Sequence, residues 1–180
     1  MSTFISMLRG INVSGYNKIS MADLKNLYES LDFRNIVTYG LSGNVIFNSS
    51  QQDVLKLSYQ IQTQLKKSFD LYVPVLLRNT DDLKRIISDN PFIKRKEDPT
   101  KLHVTFLNTS PTPSDLNKLS APAHESDEFI IKDKEIFIFC PNGYGRTKLT
   151  NTFFEKKLNI TATTRNWNTV NALFKLANEK

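Results

Sequence analysis

The sequence predicts an α+β chain built as two packed subdomains. Three observations predict it: short apolar or β-branched runs alternate with two amphipathic segments over residues 1–79, a proline-stopped helix and a charged linker then break the pattern, and a second set of alternating runs follows. Of the 180 residues, 39% are hydrophobic and 11% aromatic, enough to bury a core.

The elements of the first part follow in order. "TFISML" alternates as a strand. After a glycine-containing loop, "SMADLKNLYESL" reads as a helix with Ser20 as N-cap and Asp23 in the capping-box position. "NIVTYG" and "NVIFN" flank "LSG", a hairpin signal. Val54, Leu57, Ile61, Leu65 and Phe69 then recur at helical spacing before the strand "VPVLLR". The order βαββαβ predicts a ferredoxin-like, split βαβ sheet with two helices on one face, over residues 1–79.

Residues 80–180 read as a small mixed α/β unit. It opens with "TDDLKRIISD", a helix capped by Thr80 and stopped by Asn90-Pro91. The linker "KRKEDPTK" leads to the strand "LHVTFL", a short helix lies near "PSDLNKL", and "EFIIKDKEIFIFC" forms a hairpin turning at Lys132 to Lys134. Two C-terminal helices are expected after a Gly-containing loop. No internal repeat or low-complexity tract is present.

Composition narrows the function classes. No apolar run approaches the roughly 20 residues that span a bilayer, and the charge order of the N-terminus is wrong for a signal peptide, so a cytoplasmic protein without membrane contact is expected. The single cysteine, Cys140, excludes an internal disulfide. With only His103 and His124 beside it, no zinc-ligand spacing arises, and neither metal nor cofactor is expected. His103 reads as a hydrogen-bonded strand residue. The net charge of +6 is uneven: +3 over residues 1–79, −2 over 80–139 and +5 over 140–180. A basic C-terminal quarter suits phosphate contacts, although a solvated lysine face has the same composition.

Three constellations can carry chemistry. In a split βαβ unit, strands one and two run parallel, so the loop "RGIN" and the hairpin tip "LSGN" leave the same edge of the sheet. Arg9, Asn12, Ser42 and Asn44 then gather beside Gly10, Gly15 and Gly43, as an anion site or as ordinary turn chemistry. The second is "CPNGYGRTKL". Cys140, Gly143, Arg146 and Thr147 have the C-x5-R-T spacing of the phosphate-binding loop of tyrosine phosphatases, with Cys140 as a nucleophile candidate. Pro141 removes an amide from that cradle, however, and Phe139 stands where a histidine lowers the thiol pKa. A non-catalytic anion loop and a plain loop with a buried cysteine are the other readings.

The third is "TTRNWNTV". Trp167, Val170, Phe174 and Ala177 lie on one helical face, with Thr164 or a neighbour as N-cap and Trp167 as core. Arg165 and Asn166 at the helix start would meet an anion or bond to carbonyls of the first subdomain. Phe4 and Phe47 read as core and not as base-stacking platforms.

The segments "LRGINVSGYNKISMADLKNL", "TYGLSGNVIF", "PVLLR", "NPF", "LHVTFL", "CPNGYGRTKLTN" and "TTRNWNTV" resemble, in this order, the landmarks of a bacterial domain-of-unknown-function family, number sixteen ninety-seven. The resemblance spans the chain. It implies a fold and a bacterial cytoplasmic origin, and no reaction. From the residues, the expected function is binding of a phosphorylated or anionic ligand, a nucleotide or nucleic acid. The ligand would sit in a cleft between the subdomains, held by Arg9, Asn12, Ser42, Asn44, Arg146, Thr147, Arg165 and Asn166. The alternatives are a cysteine-dependent phosphatase at Cys140 and a purely structural polar network. Oligomeric state is not legible.

Overall fold

The structure is a computed structural model that describes residues 1–119 and 126–179; His124 lies outside them. The element order is β1 (Ser2–Leu8), α1 (Met21–Glu29), β2 (Arg34–Tyr39), β3 (Asn44–Ser49), α2 (Val54–Phe69), β4 (Val75–Asn79), α3 (Thr80–Asp89), α4 (Pro91–Lys94), β5 (Leu102–Leu107), α5 (Pro113–Leu116), β6 (Glu128–Lys132), β7 (Glu135–Phe139), α6 (Asn151–Leu158), β8 (Ala162–Asn166) and α7 (Trp167–Asn178). Two four-stranded antiparallel sheets result, so the α+β class holds. Met1–Lys84 and the end of α7 from Ala172 form one compact unit, and Arg85–Asn171 form the other.

The first sheet has the order β2-β3-β1-β4, the split βαβ arrangement with β1 and β3 side by side. The strands are nearly continuous apolar runs because both sheet faces are buried. One face carries Phe4, Leu8, Val45, Phe47, Val75 and Leu77 against Leu24, Leu27 and Tyr28 of α1 and Leu57, Ile61 and Leu65 of α2, in a single apolar cluster. Aromatic rings fill its centre: Phe33 stacks on Phe47 at 4.4 Å and Tyr28 meets the same ring edge-on at 5.3 Å. On that face Ser6 is satisfied by the Tyr28 hydroxyl at 2.6 Å, and burial raises the phenol pKa well above its usual value. The other face carries Ile5, Met7, Ile46 and Leu76, also buried. Phe4 and Phe47 are therefore core, as expected.

Helix starts follow the caps written in the sequence. Ser20 and Asp23 bond reciprocally at the start of α1, and Asp53 accepts from Leu55 and Lys56 at the start of α2. At α3 the cap is Asn79 and not Thr80: the Asn79 side chain accepts from the Asp82 N–H while the Asp82 carboxylate accepts from the Asn79 N–H. Asn90 caps α4 ahead of Pro91.

The second sheet has the order β6-β7-β5-β8. Its hairpin β6–β7 turns at Asp133, which takes a left-handed φ of 54°. The two expected C-terminal helices are α6 and α7, and between them lies a strand not expected from the sequence, β8, paired antiparallel with β5 from Ala162↔Leu107 to Asn166↔His103. Thr164 is thus a strand residue, its hydroxyl 2.6 Å from that of Thr105. The cap of α7 is Asn166, which accepts from the Thr169 N–H at 2.8 Å. Trp167, Val170, Leu173 and Ala177 are buried along α7, with Leu173 taking the place expected for the half-buried Phe174.

Candidate ligand site at the loop edge of the first sheet

Both β1 and β2 run antiparallel to β3, so their C-terminal ends share one edge of the sheet, where β4 begins. Three bonds join the loops there: the Leu8 N–H donates to the Gly43 carbonyl and the Arg9 N–H to the Pro74 carbonyl, each at 2.9 Å, and the Asn12 amide donates to the Leu41 carbonyl at 2.9 Å. The expected meeting of "RGIN" and "LSGN" is what the structure has. Gly43 makes it possible. It has φ +76°, and a Cβ placed there would lie 2.6 Å from the Ile11 side chain and 2.8 Å from Leu8.

The loop after β1 is a miniature hairpin. Val13 and Tyr16 form an antiparallel bridge, the Tyr16 N–H donates to the Val13 carbonyl at 2.9 Å, and Ser14 and Gly15 both have positive φ, the geometry of a type I′ turn. Asn12 holds the hairpin down. Its amide donates to the carbonyls of Ile19 and Leu41, and its oxygen accepts from the Ile19 N–H. The turn therefore presents Tyr16 on a stiff support, with 75% of its surface exposed.

Between this loop, the hairpin tip, the start of α1 and the end of α2 lies an open depression of about 660 Å³. Ile19, Met21, Leu41 and Phe69 supply apolar lining, with Leu41 73% and Phe69 36% exposed. Lys18 and Asp23 supply the charges. Among the described residues Lys18 has no hydrogen bond or ion pair, and Asp23 uses one carboxylate oxygen to hold Ser20. The first turn of α1 adds the partial positive charge of a helix start.

The sequence-derived site residues divide between the units. In the first unit, the side chains of Asn12 and Asn44 are occupied by backbone carbonyls: Asn44 is buried and donates to the Tyr39 carbonyl at 3.0 Å and to the Ser42 hydroxyl at 3.1 Å. Their work is to shape the loop edge. Arg9 is half-buried and Ser42 exposed.

In the second unit, Arg165 is 7% exposed and donates to the Thr163 hydroxyl at 2.8 Å and the Thr164 carbonyl at 2.9 Å, Asn166 caps α7, and the Thr147 hydroxyl accepts from the Leu149 N–H. Arg146 alone of that group is an exposed cation whose side chain has no hydrogen bond or ion pair among the described residues.

Cys140, one candidate nucleophile in the sequence, is fully buried. The thiol sits in the apolar cluster of Ile136, Ile138, Leu149 and Phe154, and burial raises its pKa, against a bond from Thr147 that lowers it. Four of the amides at this loop are taken by the chain's own carbonyls. The Cys140 N–H bonds the Lys101 carbonyl, Gly143 bonds Cys140, Arg146 bonds Gly143 and Thr147 bonds Tyr144. Pro141 has no amide to offer. His103, half-buried, stacks on Tyr144 at 4.3 Å, and burial lowers its pKa. No group of three metal-ligating side chains occurs among the described residues.

Lys18, Tyr16 and the depression itself carry no motif in the sequence. Their signal was the Ser14-Gly15 dipeptide, which marks a tight turn beside the candidate loop. Phe69 was hidden because it continues the helical apolar spacing of α2.

The family described as "Protein of unknown function (DUF1697)" matches residues 1–137. The chain belongs to this family. The match takes in the whole loop edge and the depression. A solved structure is similar over 98% of each chain, with a TM-score of 0.74 at 21% identity: the conserved bacterial protein SP0830 from Streptococcus pneumoniae. That likeness extends the shared fold to the C-terminal part of the DUF1697 chain. No curated protein matches.

Proposed function

We propose that this DUF1697 protein is a binding protein for a nucleotide, seated in the depression at the loop edge of the first sheet. The observation that carries the reading is the combination within one cavity of an apolar lining, a carboxylate and an ammonium without a partner among the described residues. A volume near 660 Å³ suits a small-molecule site, for which the usual range is roughly 300 to 1,000 Å³. Ile19, Met21, Leu41 and Phe69 suit the flat base, Lys18 and the start of α1 suit the phosphate, and Asp23 can accept from a sugar hydroxyl. Of the residues first singled out, Asn12 and Asn44 serve as braces of this site and Arg9 as a neighbouring charge. Arg146, Thr147, Arg165 and Asn166 have no part in it.

The test is calorimetric titration with adenosine 5′-monophosphate at low ionic strength. Lys18→Ala is expected to weaken binding at least tenfold, about the loss of one charge-assisted hydrogen bond. Cys140→Ser and Arg146→Ala are expected to leave it unchanged. Absence of binding by the unaltered protein at millimolar nucleotide removes the proposal. A loss caused by Arg146→Ala and not by Lys18→Ala moves the site to the other unit.

A further inference from the structure

Beyond the end of α2 lies a second depression, of about 260 Å³, lined by Gln62, Lys66, Leu71, Tyr72, Val73 and Pro74. Its outer wall is Tyr72, 73% exposed, with the Lys66 ammonium 3.3 Å above the ring centroid. Phe69 borders the first depression and Tyr72 the second, and three residues of chain span at most about 10 Å. Rings and cations therefore continue from one depression to the next: Phe69 with Lys18, then Tyr72 with Lys66 and the exposed Lys67.

From this continuity we infer that the loop edge takes single-stranded nucleic acid, with one nucleotide in the larger depression and a following base on Tyr72. This rests on the nucleotide reading and names its ligand class. Exposed rings give sequence-tolerant stacking to unpaired bases, and lysines beside them meet the phosphates; a duplex, whose bases are already stacked, gains only the charge term. The anions on this stretch do not cancel the lysines. Asp70 pairs with Lys66 at 3.4 Å with its side chain 87% exposed, a surface pair that a phosphate readily replaces. An acidic peptide would use the same lysines but leaves the rings without a partner.

The experiment compares adenosine 5′-monophosphate with a fluorescein-labelled octathymidylate, its duplex with octaadenylate, and polyglutamate, on the full chain at low ionic strength. The octamer is expected to bind at least tenfold more tightly than the mononucleotide and more tightly than the duplex. Tyr72→Ser is expected to weaken the octamer about tenfold, the loss of one base–ring stack, and to leave the mononucleotide unchanged; Lys66→Ala acts in the same direction. Circular dichroism checks that both exposed-site variants are folded.

Mononucleotide binding with no gain for the octamer, or octamer binding indifferent to Tyr72→Ser, overturns the inference and leaves the nucleotide site standing. Polyglutamate or duplex binding as tight as the single strand overturns it in favour of charge alone. Failure of mononucleotide and octamer together removes both readings.

Discussion

At the scale of single residues, the loop edge depends on Gly43. Most glycines here merely permit a turn; Gly43 also fills a space in which a side chain has no room, against Ile11 and the Leu8 Cβ. Leu8 is part of β1 and cannot retreat without moving the register with β3. Gly43→Ala should therefore combine left-handed backbone strain with overpacking, for a loss of about 2 to 4 kcal/mol. Gly40→Ala is the matched control, with φ +64° and nothing within 4 Å of the added carbon, and should cost only the strain, about 1 kcal/mol. Urea unfolding of the two variants checks the difference. Equal losses would mean that the hairpin tip yields freely to Ile11.

At the scale of elements, the first unit was legible because its helices and strands have different hydrophobic periods and its caps stand beside the helices they start. Leu57, Ile61 and Leu65 are buried on α2 as their spacing requires, and Ser20 caps α1 with Asp23. β8 was not legible in the same way. "ATTRN" has no apolar alternation, since its buried positions are Ala162, Thr163 and Arg165, and Arg165 donates to Thr163 and Thr164 of its own strand. What it does have is a pair of adjacent threonines, whose β-branching suits a pleated strand, in a place where β5 needs a second neighbour. The helix start moves accordingly from Thr164 to Asn166. Asn166→Ala should lower stability by about 1 kcal/mol, and Asn166→Ser should retain most of it, since serine offers the same oxygen to the Thr169 N–H. Thermal unfolding distinguishes this from a cap at Thr164, for which both Asn166 substitutions would be nearly silent. The candidate polar residues were legible by position and not by role: a sequence shows that an asparagine is near a loop, but not that both ends of Asn12 are already bonded.

At the scale of the whole molecule, charge composition and site geometry point to different surfaces. Residues 140–180 hold most of the net positive charge, yet in that segment Arg165 is buried and the amides of Gly143, Arg146 and Thr147 bond to the chain's own carbonyls. The rings and cavity lie in the first unit, and Lys18, Lys66 and Lys67 are exposed cations beside them. Salt dependence separates the two. Each phosphate neutralised on a single strand contributes roughly −0.7 to the slope of log K against log salt, so three contacts give a slope of about −2 and a loss near twentyfold between 50 and 200 mM. Lys18→Ala and Lys66→Ala should each flatten the slope by about 0.7, while Arg146→Ala should leave it as it was. If the basic C-terminal segment were the footprint, the pattern would invert: Arg146→Ala and Lys148→Ala would flatten the slope, and the loop-edge lysines would be silent. Octamer titrations at four salt concentrations decide it, because the slope counts contacts independently of how strongly the bases stack.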